Sequence, residues 1–121
     1  MSEEALRQAL GELAIDLREF ARVRDWEQFH APKNLAMSLA IEAAEVMEHF
    51  QWAEAHVAPV LAPAQRQAIA HELADVMIYL MRLSSVLDID LAAAVREKMA
   101  INEQRYPVDR SRGRSTKYDE L

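Results

Sequence analysis

The chain has 121 residues, no cysteine, two glycines, four prolines and a net charge of −6. That length makes one domain with a modest core, and the lack of Cys excludes a disulfide scaffold. The acidic balance argues against a general nucleic-acid binder, which is as a rule basic. It leaves a nucleotide substrate open, because a bound cation can supply positive charge locally. Long stretches of Ala, Leu, Glu, Arg and Met place the chain in the all-α class. No run approaches the roughly 20 apolar residues of a membrane span, and Met1-Ser2-Glu3-Glu4 lacks the apolar core of a signal peptide. A cytoplasmic protein is expected, with neither nucleic acid nor membrane as partner. The ending Tyr118-Asp119-Glu120-Leu121 resembles an ER-retention signal but, with no signal peptide, reads as chance.

In chain order, a first helix is expected from about Ser2 to Arg24. Ser2 serves as N-cap, Glu3 and Glu4 fill the first turn, and Leu6, Leu10, Leu13, Leu17 and Phe20 form one apolar stripe. The connector from Asp25 to Asn34 carries Trp26, Phe29 and His30, which either cap the bundle end or face a ligand. A second helix is expected from about Pro32 to Ala55 and a third from about Pro63 to Leu87, with Pro63 in the first helical position. From Leu73 to Leu87 the third helix is apolar nearly all round, broken chiefly by Asp75, Arg82, Ser84 and Ser85. Such a helix must be covered on every side, so oligomerisation through it is expected. Asp90 caps a fourth helix, about Leu91 to Tyr106, which stops before Pro107. The remainder carries Arg110, Arg112, Arg114 and Lys117 without apolar periodicity. The expected organisation is therefore a helical domain over 1–107 and an extended or mobile basic tail over 108–121, which either closes over a phosphate or is solvated.

Two acidic motifs carry the chemistry: Glu42-Ala43-Ala44-Glu45 and Glu72-Leu73-Ala74-Asp75. In each, two carboxylates three residues apart share a helix face. Both motifs are set among apolar residues, where ionised carboxylates are costly unless something positive joins them. No basic residue lies within either motif. A divalent cation held between two helices resolves this, and an all-oxygen donor set points to Mg²⁺, Mn²⁺ or Ca²⁺ rather than zinc. The bland alternative is a set of surface acids. His49 and His71 lie nearby but read as structural or surface residues. On the fourth helix Lys98, Asn102, Arg105 and Tyr106 share one face, which suits a phosphate chain or is simply a solvated face. Tyr79, four residues after Asp75, either offers its hydroxyl to a phosphate or is a core tyrosine. There is no phosphate-binding glycine loop, no Ser-His-Asp order and no thiol, so any chemistry is metal-assisted, with a carboxylate as base. Glu45 is the expected base.

The paired ExxE and ExxD motifs resemble those of the MazG-like all-α nucleoside triphosphate pyrophosphohydrolases. Arg24-Asp25-Trp26-Glu27-Gln28-Phe29-His30, Phe50-Gln51-Trp52, Lys98-Met99 and Asn102-Glu103-Gln104-Arg105-Tyr106-Pro107 are similar to the dCTP pyrophosphatase branch, as are Ser111-Arg112-Gly113 and Lys117-Tyr118. The resemblance covers roughly Glu19 to the C-terminus. It implies a four-helix MazG-like bundle assembled as a tight homo-oligomer, most often a tetramer (a dimer of dimers). It also implies Mg²⁺-dependent hydrolysis of dCTP or a 5-modified dCTP to the monophosphate and pyrophosphate. Glu42, Glu45, Glu72 and Asp75 would hold the Mg²⁺, with Mn²⁺ as the alternative ion. Lys98, Asn102, Tyr79 and Arg105 would face phosphates or sugar, and Trp26, His30 and Trp52 the base. At Leu17 the chain departs from the animal members, which have a base-contacting His there. Two alternatives stand beside this reading: a pyrophosphohydrolase for another base (dUTP or a damaged purine), and a non-catalytic helical nucleotide-binding module.

Overall fold

The computed structural model describes residues 2–53 and 60–121. Its elements are α1 (Glu3–Val23), a 3₁₀ turn (Glu27–Phe29), α2 (Pro32–Glu48), α3 (Pro63–Val86), α4 (Leu91–Arg105), α5 (Val108–Ser111) and a second 3₁₀ turn (Tyr118–Glu120), with no strand among the described residues. The all-α class is thus as expected. The caps are those that the sequence announces. The Ala5 amide donates to Ser2 Oγ at 3.1 Å, and the Ala93 amide to Asp90 Oδ1 at 3.0 Å; each satisfies an N-terminal donor that the helix cannot. Pro63 opens α3, and the Gln65 side chain accepts from the Ala62 amide at 3.2 Å.

The end of α1 sets up the site. Asp25 takes the left-handed conformation (φ 54°), which Asp tolerates better than most residues. The Asp25 amide then donates to the Arg22 carbonyl at 3.0 Å and the Trp26 amide to the Ala21 carbonyl at 2.9 Å. This is a Schellman closure, and it turns the chain so that Trp26 and the following 3₁₀ turn lie across the helix end. Asp88, with φ 53°, takes the same left-handed conformation after α3.

Two compact units result, Met1–Asp88 and Ile89–Leu121. In the first unit α2 packs along α3, with α1 against α3. His30 at the head of α2 meets Arg82 near the end of α3, while Glu42 and Glu45 meet Glu72, so α2 and α3 run antiparallel. Among the described apolar residues of this unit, Ala21, Leu35 and Ile69 are buried, while Leu73, Met77 and Leu80 stay 54%, 38% and 37% exposed.

Two expectations need correcting. The regular part of α2 ends at Glu48, where His49, Phe50 and Ala53 close successive turns onto Val46, Met47 and Phe50; the rest of the expected helix lies outside the described residues. The tail is not extended throughout. Residues 108–111 form a helical turn, and Ser111 Oγ donates to the Tyr106 and Pro107 carbonyls at 3.1 and 2.6 Å. Tyr118 packs edge-on against Tyr106 at 6.1 Å between ring centroids, with the Arg105 guanidinium over its ring at 4.5 Å. Aromatic and cation–π contacts therefore supply the order that no periodicity announces.

Candidate functional site

Two helical stripes face each other in the first unit. Leu35, Ser38, Glu42 and Glu45 follow one another along α2 at steps of three, four and three. Glu72, Asp75, Tyr79 and Arg82 do the same along α3, and all eight are buried or half-buried. That spacing keeps each set on one helix face.

At one end the stripes bring three acids together. One carboxylate oxygen each from Glu42, Glu45 and Glu72 lies within 4.8 Å of the others. Glu42 Oε2 and Glu72 Oε2 are buried without a hydrogen-bond partner, and such atoms carry a desolvation cost. A proton shared with Glu45, then burial, then the charges of Glu45, Asp75 and Glu72 push the Glu42 carboxyl up to about 7. Glu72 is raised by the same hydrogen bond to Glu45, by burial and by the charges of Glu45 and Asp75, with His49 acting the other way. Glu45 thus stands between two acids that both resist ionising. Asp75 lies outside the three-carboxylate group but contributes its charge to both neighbours.

Orphaned oxygens and suppressed ionisation are what a bound cation would relieve, and three convergent carboxylates are the donor set that hard divalent cations take. The residues fit such an ion. An open hollow of about 670 Å³ adjoins them, lined by Glu45, Glu48, His49, Gln51 and Glu72. Through it a ligand can reach the acids.

At the other end of the stripes lies a second feature. Trp26 stands 6.4 Å from His30 and 5.8 Å from Phe20 between ring centroids. Arg82 is only 5% exposed and its Nε donates to His30 Nδ1 at 3.4 Å. Burial, and then the Arg82 charge, lower the His30 pKa below 6.5, so the ring is neutral at pH 7 with its proton on Nε2. A cavity of about 240 Å³ opens here, lined by Arg18, Glu27, His30, Arg82, Ser85 and Val86.

The expected base-binding residues are therefore divided. Trp26 and His30 meet, whereas Trp52 follows the far end of α2 and is 90% exposed; the 17 residues of α2 separate them by about 25 Å. Tyr79 sits midway along the α3 stripe, half-buried. In the second unit Asn102 and Tyr106 line one hollow of about 650 Å³ with Arg96, Met99, Ala100 and Glu103. Lys98 on the same helix is exposed, and Arg105 stacks on Tyr118. Sequence reasoning treats Arg82 only as an interruption of an apolar helix and gives Glu27 no role. The signal for Arg82 is its place three residues after Tyr79 and seven after Asp75.

A helical hairpin carrying ExxE opposite ExxD defines a class, and the MazG-like family model matches residues 37–121. The chain belongs to the MazG-like family. Within it, the chain is similar to the dCTP pyrophosphatase branch: it is 49% identical over 105 residues to dCTP pyrophosphatase 1 of Rattus norvegicus and 47% identical over 105 residues to that of Homo sapiens. Each match covers 85% of this chain and 62% of the relative, so the chain spans under two-thirds of the length of those proteins. Among solved structures, a pyrophosphatase from Archaeoglobus fulgidus superposes with a TM-score of 0.67 at 38% identity, covering 82% of this chain and 93% of its own.

Proposed function

We propose that the protein is a Mg²⁺-dependent nucleoside triphosphate pyrophosphohydrolase. It converts dCTP or a 5-modified dCTP to the monophosphate and pyrophosphate, as a nucleotide-pool sanitation enzyme. The observation that carries this is the convergence of Glu42, Glu45 and Glu72, two of them with orphaned buried oxygens, in a MazG-like chain whose relatives are named dCTP pyrophosphatases. Glu42, Glu45 and Glu72, with Asp75 beside them, would hold Mg²⁺ (or Mn²⁺), which when bound supplies charge neutralisation at the triphosphate oxygens and a water of lowered pKa.

Glu45, central among the acids, takes the proton of the attacking water. The water oxygen bonds to the α-phosphorus as the bond from that phosphorus to the α–β bridging oxygen breaks, and pyrophosphate departs with the electron pair. Tyr79, Lys98, Asn102 and Arg105 are assigned to the sugar and phosphates, and Trp26, His30 and Trp52 to the base. Because Trp52 stands a helix length from His30, it joins the same base only from a second copy of the chain. The exposed apolar stripe of α3 supports that assembly, a homo-oligomer built as a dimer of dimers. Phosphorus-31 NMR of a dCTP digest tests the reaction type: dCMP and pyrophosphate in equal amounts are expected, and dCDP with inorganic phosphate would contradict the proposal.

A further inference from the structure

The α3 stripe has an acidic end and a basic end. Along one helix face, at 1.5 Å per residue, Arg82 lies about 10 Å beyond Asp75 and 15 Å beyond Glu72. A nucleoside triphosphate whose phosphates lie at the acids would place its base at about that distance. What waits there is a nearly fully buried guanidinium with no carboxylate within 4.0 Å among the described residues. Its one side-chain hydrogen bond among the described residues goes to His30, and a cavity of about 240 Å³ lies against it. A buried cation left without an acid is expensive for the fold alone and has a reason to persist where a ligand completes it. Glu27 lines the same cavity and has no ion-pair partner among the described residues either.

Resting on the proposed function, we infer that Arg82 and Glu27, which line one cavity with His30, read the hydrogen-bonding edge of the cytosine. The Arg82 guanidinium donates to O2 and N3, the two acceptors of cytosine, and the Glu27 carboxylate accepts from the N4 amino group, the pairing that carboxylates make with cytosine. His30, holding its proton on Nε2 because Nδ1 faces Arg82, adds a donor within the pocket, and Trp26 supplies the aromatic face beside it. Uracil fits this set poorly: its N3 carries a hydrogen that meets the guanidinium, and its O4 is an acceptor that meets the carboxylate. Selectivity for cytosine then comes from leaving groups unpaired against the wrong base, the strongest form of discrimination that a polar pocket has.

The test is kcat/KM for dCTP and dUTP in Glu27→Gln, Arg82→Met and the unmodified protein, with Tm of each. A carboxamide both donates and accepts, so Glu27→Gln is expected to lower the dCTP:dUTP ratio by about 10-fold or more, mostly by gain on dUTP. Arg82→Met is expected to raise KM for dCTP by about 10-fold or more while Tm holds or rises, because an uncompensated buried charge has been replaced by apolar volume. If Arg82→Met fails to fold, the Glu27→Gln ratio decides alone. An unmodified protein that prefers dCTP, with a ratio unmoved by Glu27→Gln, overturns the inference and leaves the proposed function standing. An unmodified protein that hydrolyses neither nucleotide overturns both.

Discussion

The exposed face of α3 makes a quantitative demand on assembly. Leu73, Met77 and Leu80 recur at i, i+4 and i+7 and are 54%, 38% and 37% exposed, so about one and a third apolar side chains per protomer are still in water. At about 1.5–3 kcal/mol for a whole side chain, covering the stripe is worth about 2–4 kcal/mol per protomer, and twice that across a two-fold interface, where each residue appears twice. Leu73 holds the largest share. Leu73→Ala should therefore weaken association by about 2–3 kcal/mol, a rise of about 30- to 150-fold in the dimer Kd. The fold of the single chain should be little affected, because the side chain is more than half exposed there. Sedimentation over a concentration series, with circular dichroism to confirm helix content, reads both quantities. A folded monomer at micromolar concentration in the unmodified protein, or an unchanged Kd for Leu73→Ala, would refute the reasoning.

Two further outcomes follow from the acids. Glu42 is pushed up to about 7 and Glu72 is raised, so the cation-free folded state holds protons that the unfolded chain has already released above about pH 4.5. Their contribution to stability is therefore present at low pH and falls as pH rises from about 4.5 to about 7. Differential scanning fluorimetry in EDTA should show that decline, and Mg²⁺, which binds the ionised acids, should raise Tm more at pH 8 than at pH 5; an equal Mg²⁺ shift at both would argue against binding there. For catalysis, Glu45→Gln should lower kcat by about 10²- to 10⁴-fold in protein that still binds Mg²⁺ by calorimetry. Full turnover with unchanged metal affinity would remove Glu45 as the base.

Local rules made much of the fold legible. Ser2, Pro63 and Asp90 start helices because each satisfies or dispenses with an amide that the helix leaves free, a property of residue type and position. The i, i+3 acids were legible for the same reason: the spacing alone puts them on one face. What stayed hidden depends on contacts distant in sequence or on side-chain angles. The order of the tail comes from Tyr118 meeting Tyr106 and Arg105, a pairing that leaves no period. The Arg82–His30 contact spans 52 residues, so nothing local marks either as a partner of the other. Asp75 has the right spacing yet lies outside the three-acid group, since a shared face does not fix where a carboxylate ends. Trp52 was assigned to the base by resemblance, and the length of α2 takes it away from Trp26 and His30 within one chain.

The central claim is that the convergent acids serve to cleave a nucleoside triphosphate. Pyrophosphate release from a panel of NTPs and dNTPs, with Mg²⁺ and again with EDTA, tests it most directly. Release from dCTP and its 5-substituted forms, abolished by EDTA, is the predicted result. No release from any nucleotide by folded, Mg²⁺-loaded protein would contradict it and leave the acids as part of a binding module.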